Sequence, residues 1–198
     1  IDSVGPNEKL AFMHGGSGWV PAEAWSSDIF EVVPGKRFLA KDWAVFIALY
    51  LVGAGTTDGE SVYVKDSELS RDCLSRMGIA YNVDSSSSKL TFSDPKLALY
   101  LRTFPPEKEA AVPFYIHQMP RDVIRAFVDT VVSCQGSSTL KLPSKRMADD
   151  FVELLLKAGY SGRTSSPTDE TVVCVEKNSL SHVDAACHIS RVDYTGHI

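Results

Sequence analysis

Cysteine is scarce in this chain. Cys73, Cys134, Cys174 and Cys187 are the only four, and no two form a C-x-x-C pair. Four scattered thiols exclude a disulfide framework, and the missing pair argues against a structural zinc site. Basic charge is in the minority, with 20 Lys and Arg against 25 Asp and Glu and a net charge of -5. That balance speaks against a strongly basic, non-specific nucleic-acid binder but leaves room for a local basic face. Long apolar runs are absent as well. The longest, Trp43 to Ala54, falls short of the about 20 residues that a membrane span needs, so it is expected as a buried helix. No signal-peptide pattern is visible, so the expected compartment is the inside of a cell, away from membranes. The first residue is Ile1 and not Met, which reads as an excerpt of something longer.

What is present is ordinary globular material. Hydrophobic residues make up 44% of the 198 and charged residues 23%. A chain of this length buries roughly 70% of its unfolded surface, enough for a real core. Residues 1–40 are rich in turns: Gly5-Pro6-Asn7, Gly15-Gly16-Ser17-Gly18 and Pro34-Gly35 punctuate short apolar pieces. Leu10–Met13 and Trp19–Val20 are expected to pair as a hairpin, and Val32-Val33 reads as a short strand. A boundary is expected near Arg37. His14-Gly15-Gly16-Ser17-Gly18 looks superficially like an oxyanion-hole turn. A nucleophile elbow needs G-x-S-x-G, however, and position 19 is Trp, so a hairpin turn is the better reading.

The pattern predicts a helix over 41–54, capped by Asp42 and apolar almost all round. A glycine turn, 55–59, ends it. Ser61–Lys65 alternates as a strand. Ser67 opens a helix to Met77, stopped by Gly78. Tyr81–Val83 and Lys89–Phe92 are expected as a hairpin, and Pro95 starts a short helix to Thr103. After a polar link at 105–109, a second apolar helix spans 121–134 and ends at Gly136. His117 and Gln118 just before it read as loop or cap residues. Thr139–Leu142 alternates as a strand, Ser144 opens an amphipathic helix to Lys157, and Thr171–Val175 is a β-branched strand.

Apolar helix, strand, amphipathic helix, glycine stop and strand thus occur twice, about 80 residues apart. Two copies imply a pseudo-twofold domain. Two such apolar helices are best buried against each other, with Ala48, Gly53 and Ala54 facing Thr130 and Cys134 at a close approach. The expected class is α+β. Two helix-strand repeats pack through two central helices over residues 41–178. A small β-rich portion is built from 1–40 and a β tail at 179–198.

The residues now resemble a family. Phe46-Ile47-Ala48-Leu49-Tyr50-Leu51-Val52-Gly53-Ala54 looks like the first nonapeptide of the LAGLIDADG homing endonucleases, and Val128–Gly136 looks like the second. The stretch VPFYIHQMPRDVIR (112–125) resembles the family's lead-in to its second motif. SKRMADDFVELLLKAG (144–159) resembles the helix that follows it. The ends are similar to something else. Gly5–Leu10 and Gly18–Glu23 look like an intein (Hint) block with a TPNH-type core, and His188–Ile198 is similar to the strand opening an intein's C-terminal half. An endonuclease nested in an intein is thereby implied, as carried by a phage or other mobile element.

That resemblance implies one acid at the tip of each central helix, holding divalent metal for phosphodiester cleavage. The matching positions here are Gly53 and Gln135, and neither is acidic. Glycine has no ligand atom, and a neutral amide is a poor replacement for a charged oxygen around Mg²⁺. Asp58, Glu60 and Asp129 are the nearby acids. The TPNH histidine falls on Glu8, and no splice-junction residues are visible, so the chain is not expected to splice alone. Three readings follow. The first is a degenerate, intein-derived domain without metal cofactor, retaining double-stranded DNA binding or serving as an insertion in a host protein. The second is an active Mg²⁺-dependent endonuclease with displaced acids. The third is a purely structural module. Outward strand residues Tyr63, Lys65, Thr139 and Lys141, joined by Lys89, Arg163 and Lys177, are expected to face DNA phosphates, or else to be solvated strand faces. A monomer is expected, because the twofold is internal. Cys174, His182, Cys187 and His188 are too irregularly spaced for zinc, and Cys134 is expected to be a packing residue between the helices.

Overall fold

The computed structural model describes residues 11–14, 18–21, 29–84, 86–105, 109–165 and 171–176 of the chain. At its start, β1 (Ala11–His14) and β2 (Gly18–Pro21) form an antiparallel hairpin with Met13 opposite Trp19. A second hairpin follows, β3 (Ile29–Val33) and β4 (Lys36–Leu39), turning at Gly35 with φ +82°. The Glu31 carboxylate ties that turn, accepting from the Gly35 N–H at 2.9 Å and from Arg37 Nε at 3.0 Å. Phe30 of β3 is buried and stacks on Tyr115, and Phe38 of β4 stacks on Trp43. This hairpin therefore shares the core of the helices that follow.

Helix α1 (Ala40–Val52) is buried on nearly every side, with Trp43, Ala44, Ile47 and Ala48 wholly enclosed. The expectation that Asp42 caps it is corrected. The N-cap is Leu39, which has no capping side chain, and Asp42 lies in the first turn. The Asp42 carboxylate turns inward and meets Arg76 Nε at 2.6 Å. An acid in the first turn still opposes the helix dipole favourably, and the arginine offsets its burial.

Beyond α1 lies a four-stranded antiparallel sheet in the order β5-β6-β8-β7. It comprises β5 (Thr56–Asp58), β6 (Ser61–Lys65), β7 (Asn82–Asp84) and β8 (Lys89–Ser93). Helix α2 (Glu68–Arg76) crosses between β6 and β7. Its cap is Ser67, whose hydroxyl accepts from the Ser70 N–H at 3.1 Å. Helix α3 (Pro95–Leu101) follows, capped by Asp94. The predicted turn at 55–59 contains β5, too short and polar to show an alternation of its own.

The second half opens with α4 (Phe114–Gln118), so His117 and Gln118 lie in a short helix and not in a loop. Next come α5 (Arg121–Gln135), ending at Gly136 with φ +63°, β9 (Thr139–Leu142) and α6 (Lys145–Ala158). Ser144 caps α6, accepting from the Met147 N–H at 2.9 Å and donating its hydroxyl to the Ala110 carbonyl. Strands β10 (Ser161–Ser165) and β11 (Thr171–Glu176) complete a three-stranded antiparallel sheet in the order β10-β11-β9. Strand β10 had no counterpart in the sequence reading, because Ser161-Gly162-Arg163-Thr164-Ser165 is almost wholly polar.

The two apolar helices pack as expected. Contact between α1 and α5 is the most extensive between any two described elements, and Ala48 and Thr130 are both buried. The fold is mixed α+β: two helix-strand halves, each with an antiparallel sheet, joined through a central helix pair. Among the described residues no helix is long and apolar enough to cross a membrane.

Candidate nucleic-acid face and helix tips

Strand alternation sorts each sheet into an inner and an outer face. In the first sheet Val62, Val64, Leu90 and Phe92 are buried beneath the helices. Their neighbours form rows across the outer face. Lys65 lies opposite Lys89, and Lys89 opposite Asp84. Tyr63 lies opposite Thr91 on one side and Thr56 on the other, and Thr91 lies opposite Asn82. Lys65 is exposed, and Tyr63 and Lys89 are half-buried. Neither lysine forms an ion pair with a described acid. Asp84 is engaged elsewhere, accepting from the hydroxyls of Ser86 and Ser87 at 2.6 Å each. Those bonds hold its carboxyl down at about 2.

In the second sheet Leu140, Leu142, Val173 and Val175 are the buried set. The outer face carries Arg163 opposite Cys174 and Cys174 opposite Thr139, with Lys141 opposite Val172 in the next row. Arg163, Thr139 and Lys141 are exposed. The structure therefore places Tyr63, Lys65 and Lys89 on one outer face and Thr139, Lys141 and Arg163 on the other. Lys177 lies outside the described residues, as do Glu8, His182, Cys187 and His188. Thr56, Asn82 and Thr91 join the first face without having been singled out. For Thr91 the alternation of Lys89 to Phe92 carried the signal.

Both central helices end without a basic residue in the last turn. Lys65 lies beside both ends. A Cβ built on Gly53 would sit 3.6 Å from its Cβ, and its charge acts on the Cys134 thiol. Cys134 is a correction: it is exposed at the end of α5 and not packed between the helices, because Thr130, one turn earlier, is the residue that turns inward. Local burial pushes its thiol up, and the Lys65 charge works against that shift.

Gly53 closes α1, its N–H donating to the Leu49 carbonyl at 2.9 Å. Any side chain there is crowded, since an added Cβ would lie 2.5 Å from that same carbonyl oxygen. Gln135 is spoken for. Its Nε2 donates to the Lys141 carbonyl at 2.7 Å, and its Oε1 accepts the Lys141 N–H at 2.8 Å. Of the nearby acids, Asp129 accepts the Tyr160 hydroxyl at 2.9 Å and lies 3.9 Å from Arg125 Nε. Arg125 in turn donates to the Tyr160 hydroxyl and rests over its ring. Asp58 and Glu60 are exposed on the β5–β6 hairpin. Among the described residues no three His, Cys, Asp or Glu converge to hold a metal. A cleft of about 330 Å³ beside the α5 tip is lined by Val132, Ser133, Gly136, Ser137, Ser138 and Val175. Hydroxyls and valines supply no charged ligand there.

No family model and no curated protein matches the chain. Among solved structures, the chain is similar to I-DmoI, crystallised in complex with DNA and Mn. The TM-score is 0.46 and the identity 11%, over 69% of this chain and 90% of that one.

Proposed function

We propose that this chain is a degenerate LAGLIDADG-type domain of intein origin that binds double-stranded DNA through the outer faces of its two sheets and does not cut it. The observation that carries the reading is the state of the two helix tips. The resemblance to the LAGLIDADG nucleases implies a metal-holding carboxylate at each. Gly53 offers no ligand atom and no room for one, and both polar ends of the Gln135 amide are used on Lys141. A divalent metal does not fit these residues, and no cleavage step runs through one. The reading with displaced acids is weaker, because Asp129 is held by Tyr160 and Arg125.

Support for DNA comes from the outer rows. Like charges directly opposite across a sheet are destabilising, and Lys65 faces Lys89, with the Asp84 carboxylate only on the far side of Lys89. A phosphate relieves that repulsion. Tyr63 beside the pair adds a flat ring and a hydroxyl. Lysines contact phosphates without reading sequence, so the affinity is expected to fall steeply with salt. The domain is proposed to act as a monomer and as an insertion in a host protein.

The test is a fluorescence-anisotropy titration of random-sequence duplex at several salt concentrations. Binding that weakens log-linearly with salt is expected, and Lys65→Ala and Lys89→Ala each flatten the slope by about 1. Salt-insensitive binding, or none at low salt, would contradict the proposal.

A further inference from the structure

The two halves differ in one respect that bears on Gln135. In the first, residues 53–60 join α1 to β6 and include β5, which covers the outer edge of β6 with Thr56 opposite Tyr63. In the second, residues 136–138 alone join α5 to β9, and among the described residues β9 is an edge strand. Lys141 is the counterpart of Tyr63. Each stands between two buried residues, Val62 and Val64 in one half, Leu140 and Leu142 in the other. Each strand leads into a helix capped by a serine, Ser67 or Ser144. Where β5 pairs with the first strand, the Gln135 side chain lies against the second, bonded to both the N–H and the carbonyl of Lys141. A primary amide has the donor and the acceptor of a peptide group. It can thus make both bonds that an opposite residue on a neighbouring antiparallel strand would make.

We infer that Gln135 is a positioning residue: its side-chain amide takes on β9 the place that β5 takes on β6, and holds Lys141 on the nucleic-acid face. The functional half of this inference rests on the DNA-binding reading; the strand replacement stands without it. A carboxylate at 135 would accept the Lys141 N–H but could not donate to the Lys141 carbonyl. The position at which the resemblance to the nuclease family implies an acid is therefore committed here to an amide.

Two measurements on the full chain separate the parts. The first is amide hydrogen exchange at Lys141, followed by NMR. Gln135→Met removes both bonds and is expected to speed exchange about five- to tenfold, the worth of one net hydrogen bond, with Gln135→Glu changing it less. An unchanged rate in Gln135→Met overturns the strand replacement. The second is the salt slope of duplex binding for Lys141→Ala, Gln135→Met and the double variant. Positioning predicts that each single variant lowers the slope by about 1 and that the double variant goes no lower. Additive losses would mean that Gln135 acts through general stability, and would overturn the positioning role. If the wild-type chain binds no duplex, the functional half falls, and the exchange rates still decide the strand replacement.

Discussion

Gly53→Ala should destabilise the protein by about 1–2 kcal/mol. Its sign is informative because the backbone argues the other way. Gly53 has φ -85°, a conformation open to alanine. At such positions the exchange ordinarily stabilises by about 0.4–1 kcal/mol, through the lower entropy of the unfolded chain. Here the new Cβ would lie 2.5 Å from the Leu49 oxygen, against 3.4 Å for ordinary contact, a shortfall of about 0.9 Å. That oxygen cannot withdraw freely, because it accepts the N–H that closes α1. Lys65 Cβ stands on another side at 3.6 Å. Overpacking of this kind costs about 1–3 kcal/mol, which outweighs the backbone gain. Urea denaturation at 25 °C measures the difference, with an unchanged m-value as the check on two-state behaviour. Equal or greater stability of Gly53→Ala would refute the claim that the tip has no room. Gly53→Asp meets the same obstruction, so it should bring no Mg²⁺-dependent cleavage even when combined with Gln135→Asp.

Three further outcomes are expected. Arg76→Ala leaves the Asp42 carboxylate, with 9% of its side chain exposed, without its 2.6 Å partner. The loss should be about 2–3 kcal/mol, below that of a fully buried pair because Arg76 is half-exposed; denaturant unfolding showing under 0.5 kcal/mol would contradict it. Ser144→Ala removes the α6 cap and the hydroxyl bonded to the buried Ala110 carbonyl, for about 1–2 kcal/mol by the same assay. Asp84 should titrate at about 2 by carboxyl NMR, held there first by Ser86 and then by Ser87. Its folded value lies below the usual 3.8, so the turn's contribution is complete above about pH 4 and is lost as pH falls through about 2. A titration near 4 would contradict this.

Much of the fold was legible because burial and capping leave local traces. An apolar stretch such as Trp43–Leu51 has only one comfortable place, and Ser67 and Ser144 mark helix starts by hydrogen bonds to residues three positions on. The repeat followed from those traces in order. Strands β5 and β10 were missed because Thr56-Thr57-Asp58 and Ser161–Ser165 are held by pairing with neighbours and carry little apolar pattern of their own. Asp42 was misread because a capping residue and a first-turn acid look alike in sequence; the Arg76 partner, 34 positions away, distinguishes them. At the helix tips, the absence of acids could be read from Gly53 and Gln135 directly. What Gln135 does instead could not, since its bond to the Lys141 backbone depends on the tight connection through residues 136–138. The outer-face rows lie between these cases. Alternation gave each strand's faces, but only the register brings Lys65 opposite Lys89.

The central claim is DNA binding without cutting, and one titration tests it most directly. Random-sequence duplex is titrated with the full chain at low salt in EDTA, then in Mg²⁺ and in Mn²⁺, and the recovered DNA is examined for strand breaks. The account predicts binding in EDTA that neither metal strengthens, since divalent cations only compete for the phosphates, with the DNA intact throughout. Metal-dependent breaks would contradict it, and so would a failure to bind in every buffer.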